Sequence, residues 1–224
     1  MTRPAQGVLF DMDGLLLDTE RLFFECFTLT RAHFALPETP EVYLRSIGLR
    51  QDQSDEVIRE SLPREIGLDQ FNAQWDKRIA VRFAEDIPLK HGALPLLQML
   101  AASGYKMAVA TSTKTATARA HLAKAGLLPH IRDVIGGDLV KRGKPDPETY
   151  HKAAALIGLT ASQCIAFEDS ETGTRAALAS SALTVQIPDL VPPSKTLIAQ
   201  GHLIAPNLIE GAVKAGLIRP QALP

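Results

Sequence analysis

The chain has 224 residues, of which 46% are hydrophobic and 22% charged, an ordinary composition for one large or two small globular domains with a proper core. Its formal net charge of −1 gives no electrostatic reason to expect nucleic acid or an anionic membrane as partner. No apolar run approaches the roughly 20 residues that span a bilayer, and no signal peptide is visible, so a reduced cytoplasm is the expected setting. Residues 1–6 read as a disordered or strand-leading polar lead-in. The first element is the apolar run Val8-Leu9-Phe10, read as a buried strand that empties into Asp11-Met12-Asp13-Gly14. Helical spacing follows over residues 19–34, with apolar positions at Leu22, Phe23, Cys26, Phe27 and Leu29, and then over 41–47, 52–61 and 68–83. No convincing strand falls between Asp18 and Glu85. Beyond Pro88 the pattern alternates: helix 93–103, strand 105–111, helix 115–125, strand 133–136, helix 147–157, strand 163–167, helix 173–180, strand 183–187 and a last helix at 208–215.

Alternation of this kind predicts an α/β fold, a doubly wound parallel sheet. The helical block directly after the first strand predicts an inserted subdomain over the active edge. Residues 1–17 and 87–224 would form the core, residues 18–86 the insertion, and the stretches at Asp18 and 85–88 the two strands of a hinge. Cys26 lies in a helical pattern and Cys164 opens a buried strand, so both are expected as packing thiols, without the spacing of a zinc site.

Ligands of open parallel sheets bind at the carboxyl ends of the strands, which is where the chemistry-bearing residues collect here. Two buried carboxylates at Asp11 and Asp13 need a cation or a proton. On spacing alone they are also compatible with surface aspartates, and Asp13-Gly14 with a common turn pair. Three further segments follow in order. Ala108-Val109-Ala110-Thr111-Ser112 is an apolar run ending in hydroxyls. Gly143-Lys144-Pro145-Asp146-Pro147 sets a lysine in a stiff turn. Cys164-Ile165-Ala166-Phe167-Glu168-Asp169-Ser170 is a third strand-like run ending in paired carboxylates, and Asp169 or Ser170 could equally cap the helix after it.

These four segments resemble, in type, order and spacing, the four motifs of the haloacid dehalogenase superfamily, in its branch of β-phosphoglucomutase-like enzymes and small-cap phosphatases. The resemblance spans nearly the whole chain and implies a core with an inserted helical cap. It also implies a Mg²⁺-dependent phosphomonoesterase acting on a small phosphate ester, a sugar phosphate or nucleoside monophosphate, through an aspartyl-phosphate. Asp11 would be the nucleophile and Asp13 the general acid and base. Thr111, with Ser112, would hold the phosphoryl oxygens, and Lys144 would offset their charge. Asp11, the Asp13 carbonyl and Asp169 would hold the metal, with Glu168 direct or through water. Lys141 and Arg142 are expected as solvated charges beside Lys144.

In the cap, Ile47-Gly48-Leu49-Arg50 resembles the loop by which related enzymes reach their substrates. Arg50 would then grip a second phosphate or bridge hydroxyls, the alternative being a solvated charge at a helix end. Lys114 is a similar candidate beside the phosphate pocket. Trp75 and the histidines are read as packing or surface residues. The mutases of this branch carry a histidine in the first cap helix, and the matching position here is Phe23, which favours a phosphatase over an isomerase. A monomer is the default expectation.

Overall fold

The computed structural model describes residues 5–49 and 51–219. Arg50 and most of the lead-in before Gln6 therefore lie outside the described residues. Strand β1 (Gly7–Phe10) lies at the middle of a six-stranded parallel sheet. On one side it pairs with β2 (Lys106–Ala110), which pairs with β3 (Asp133–Ile135). On the other it pairs with β4 (Cys164–Glu168), followed outward by β5 (Leu183–Gln186) and β6 (Leu203–Ile204). The order is β3-β2-β1-β4-β5-β6, so the chain reverses direction of travel between β1 and β4. At such a switch point the crossover helices diverge and leave a crevice at the carboxyl ends of the strands.

Alternation along the strands builds a core on each face. Val8 and Phe10 of β1 join Val109 and Phe167 against Leu96, Leu97 and Leu100, with the Phe10 and Phe167 rings stacked at 5.3 Å. Leu9, Ala108 and Ala166 face the other way, onto Tyr150, Ala153, Ala154, Ala176 and Ala177. The small side chains of this second face let helices α7 (Glu148–Leu156) and α8 (Glu171–Ala179) lie close to the sheet.

Between β1 and helix α5 (Ala93–Ala102) the chain is helical: α1 (Thr19–His33), α2 (Pro40–Ser46), α3 (Gln51–Glu60) and α4 (Leu68–Glu85). These four helices share an apolar cluster of their own, with Phe27, Val42, Tyr43, Ile58 and Phe71 buried at its centre. The two segments joining this block to the sheet run side by side. The Asp18 N–H donates to the Pro88 carbonyl at 2.8 Å, and the Lys90 N–H to the Leu16 carbonyl at 3.0 Å, around an antiparallel bridge between Leu17 and Leu89.

Several boundaries differ from the sequence reading. Helix α8 begins at Glu171 rather than Gly173, because the Ser170 hydroxyl accepts the Gly173 N–H and caps it. Helix α4 runs on to Glu85, so the second joining segment begins at Asp86. Strand β6 and helix α9 (Lys195–Ile198) carry too few residues to show a period, and sequence reading passed over both. Helix α6 (Thr115–Lys124) and helix α10 (Leu208–Lys214) fall where the periodicity places them.

Candidate active site

β1 delivers Asp11 to the crevice. Its N–H donates to the Phe167 carbonyl at 3.0 Å, which continues the β1–β4 pairing one residue past the strand and fixes where the side chain emerges. On the neighbouring strand Glu168 is fully buried and Asp169 is 5% exposed. Oxygens of Asp11, Glu168 and Asp169 lie within 4.8 Å of one another. Three carboxylates this close cannot all be charged in a dry site without cations.

One cation is supplied by Lys144, in the loop ahead of α7 and joined to Pro145 by a cis peptide bond. Its Nζ lies 2.5 Å from Asp11 Oδ1 and 2.5 Å from Glu168 Oε1. Burial opposes the charge of this ammonium, but the two carboxylates outweigh it and hold its pKa above the usual lysine value. Burial pushes the Asp11 carboxyl well up, against the pull of Lys144, and burial with the charges of Asp11 and Glu168 does the same to Asp169. One ammonium thus leaves the cluster short of positive charge, and its all-oxygen donor set suits a hard divalent cation such as Mg²⁺.

The donors divide the labour. Glu168 Oε1 already accepts from Lys144 and from the Tyr150 hydroxyl at 2.6 Å, and its Oε2 accepts from the Asp169 N–H at 3.1 Å. Asp11 and Asp169 are therefore better placed to bind an ion directly, with Glu168 orienting Lys144. Two glycines make the cluster sterically possible. A Cβ on Gly173 would stand 2.0 Å from Glu168 Oε1, and one on Gly14, whose φ is +79°, would stand 2.3 Å from Asp169 Oδ2.

Asp13 faces the same space but lies outside this group of three. Its carboxylate accepts from the Thr19 hydroxyl at 2.8 Å and the Thr113 hydroxyl at 2.7 Å, which fix its orientation from α1 and from the loop after β2. In that loop the buried Thr111 hydroxyl accepts the Thr113 N–H at 3.1 Å. Ser112 and Lys114 are exposed residues that line the cavity.

The cavity has a volume of about 1190 Å³ and lies between the sheet edge and the helical block. Asp11, Asp13, Thr111, Ser112, Lys114, Lys144 and Asp169 line its floor, and Glu20, Phe23, Tyr43, Ser46, Trp75 and Asp76 contribute from α1, α2 and α4. Of the two charges beside Lys144, Arg142 pairs with Asp146 at 2.6 Å and Lys141 lies on the wall. Sequence reading missed the Glu20–Tyr43 pair. The Tyr43 hydroxyl donates to Glu20 Oε2 at 2.6 Å, and burial pushes the Glu20 carboxyl up to about 7 in spite of that bond. The Thr19-Glu20 step, six and seven residues after Asp13, was the only available signal, since Tyr43 meets Glu20 solely through packing of α2 on α1. Trp75 packs with Phe27 and Tyr43, as expected of a packing residue, donates to the Phe23 carbonyl at 3.1 Å and also forms part of the cavity wall. Tyr150, read only as part of a helical pattern, is a buried partner of Glu168.

Residues 8–187 match the family model of haloacid dehalogenase-like hydrolases. The chain belongs to that family. The family match takes in the sheet from β1 through β5, the whole helical block and every residue of the acidic cluster. Among curated relatives, the phosphorylated carbohydrates phosphatase of Thermotoga maritima is 30% identical over 172 residues, covering 77% of this chain and 80% of the relative. The fructose-1-phosphate phosphatase YqaB of Escherichia coli K12 is 30% identical over 192 residues, covering 81% of this chain and 95% of that one. Among solved structures, CbbY of Rhodobacter sphaeroides in complex with phosphate aligns with a TM-score of 0.67 at 25% identity, covering 83% of this chain and 87% of that one. Among the described residues, no helix of this family member is long and apolar enough to cross a membrane.

Proposed function

We propose that the protein is a Mg²⁺-dependent phosphomonoesterase for a small phosphorylated sugar or polyol, enclosed under residues 18–86 acting as a cap. The observation that carries this reading is the Asp11–Lys144–Glu168 arrangement, a buried carboxylate held by an ammonium at the switch point, on the floor of the cavity. The names of the relatives, a phosphorylated carbohydrates phosphatase, a fructose-1-phosphate phosphatase and the hexitol phosphatase A of Escherichia coli K12, support the substrate class.

In the first step an Asp11 carboxylate oxygen forms a bond to phosphorus while the bond to the alcohol oxygen breaks, and Asp13 gives that oxygen its proton. In the second step Asp13 takes a proton from water as the water oxygen bonds to phosphorus. The Asp11–phosphorus bond then breaks and inorganic phosphate leaves. Thr19 and Thr113 keep the Asp13 carboxyl aimed at the position both oxygens occupy in turn. Lys144 offsets the charge that Asp11 and the phosphoryl oxygens bring together, and Thr111 with the Ser112 amide orients those oxygens. Asp11, Asp169 and the Asp13 carbonyl would hold Mg²⁺, with Glu168 through water; the ion supplies Lewis-acid stabilisation of phosphoryl charge. On the cap side, Glu20 and Tyr43 offer polar partners to the hydroxyls of the leaving alcohol.

Phe23 supports hydrolysis over an isomerase of the β-phosphoglucomutase type. Its ring packs 5.7 Å from Phe83 at the cavity wall and relays no proton. Both cysteines are buried and unpaired, as suits the cytoplasm. The test is phosphate release from a panel of sugar, polyol and nucleoside monophosphates with and without Mg²⁺. Metal-dependent turnover of a polyol or sugar phosphate supports the reading. Silence across the panel, with bisphosphate-primed isomerisation instead, overturns it.

A further inference from the structure

The loop after β5 does something that the chemistry does not require. Asp189 in that loop has a side chain only 2% exposed. Its Oδ1 is clamped by Lys90 Nζ at 2.6 Å and by Arg21 Nη2 at 2.9 Å, while Oδ2 is buried without a hydrogen-bond partner among the described residues. Lys90 lies at the sheet end of the second joining segment. Arg21 lies in the first turn of α1, on the helical side. Asp18, in the first joining segment, completes the group, with Lys90 at 3.2 Å and Arg21 at 3.3 Å. The next residue of the loop, Leu190, packs into the apolar cluster of the helical block.

We propose that Asp189 and Leu190 form a strut that sets the angle of the helical block over the cavity. The carboxylate ties α1 to the far side of the hinge, and the leucine seats the same loop against the block that would swing. Arg21 follows Glu20 directly, so the tension acts on the turn of α1 that carries a cavity residue. Asp189 is a positioning residue here; it does not line the cavity. A rotation about the paired joining segments changes the distance from Arg21 to Asp189 and withdraws Leu190 from its cluster.

Asp189→Asn keeps the size of the side chain and removes the charge, and Leu190→Ala removes the apolar seat. Both are read by hydrogen exchange at the Asp18 and Lys90 amides, which bond across the hinge, and by KM against kcat for the best substrate of the panel. The strut predicts faster exchange at those two amides in either variant, and protection regained when Mg²⁺ and inorganic phosphate are added together. It also predicts KM raised about tenfold with kcat nearly unchanged, because apparent affinity scales with the closed fraction. In the Arg21→Gln background, Asp189→Asn should add little further. Wild-type exchange and wild-type KM in a folded variant would overturn the strut, as would a lowered Tm with neither change. The exchange arm needs no turnover, so failure of the phosphatase reading and failure of the strut are separable.

Discussion

Replacing Lys144 by methionine removes the ammonium that Asp11 and Glu168 share and leaves a side chain of similar length. The lysine is 5% exposed, Asp11 10% and Glu168 fully buried, so water does little to replace it. Removing one partner of a buried ion pair costs about 3–5 kcal/mol. For a protein of this size each kcal/mol lowers Tm by roughly 2–4 °C, so the metal-free variant should melt about 6–20 °C below wild type. The deficit has a sign with pH. Burial already raises the Asp11 and Asp169 carboxyls, and without Lys144 they rise further. A carboxyl whose folded pKa exceeds its unfolded one favours folding below the unfolded value, and that advantage is lost as pH rises through the folded value. The gap from wild type should therefore widen as pH rises through the raised range of these carboxyls, and millimolar Mg²⁺ should narrow it. Turnover should fall by about 10²–10³, the usual loss when one charge-stabilising donor is removed. Thermal melts in EDTA, repeated across pH and with Mg²⁺, give the answer. A Tm within about 2 °C of wild type at about pH 8 would refute the claim that the cluster depends on this cation.

Gly173→Ala places a methyl group 2.0–2.2 Å from the Glu168 carboxyl, which must leave Lys144 and Tyr150. We expect about 1–3 kcal/mol of destabilisation by melting and at least a tenfold drop in kcat; unchanged kcat would show that Glu168 does not hold Lys144 in place. Glu20→Gln tests the hydrogen-bonded pair on α1 and α2. Burial pushes Glu20 from an ordinary 4.5 up to about 7, so wild type loses up to about 3 kcal/mol through this group as pH rises across that window. The variant should gain on wild type between about pH 5 and about pH 8 in urea unfolding with EDTA, and a pH-independent difference would contradict the assignment.

The positions of Asp11, Asp13, Thr111, Lys144, Glu168 and Asp169 were legible because each follows an apolar run or sits in a proline-stiffened turn. A strand that ends in polar residues reports its own carboxyl edge, and the switch point collects those edges. Contacts between elements distant in sequence left no such mark. Tyr150 meets Glu168 only because α7 packs over β1 and β2, Tyr43 meets Glu20 only because α2 packs on α1, and Asp189 joins Arg21 across 168 residues. Trp75 was legible as an apolar position on α4, but the cavity beside it exists only once the helical block is placed over the sheet. Strand β6 escaped notice because two residues have no periodicity, and its pairing with β5 supplies the order that its sequence lacks.

The central claim is that Asp11 carries the phosphoryl group. Enzyme turning over its best substrate with Mg²⁺ should be quenched in acid and its peptides weighed, beside Asp11→Asn. The account predicts a phosphate adduct on the Asp11 peptide in wild type, with neither adduct nor turnover in a folded Asp11→Asn variant. Turnover retained in that variant, or an adduct on another residue, would contradict it.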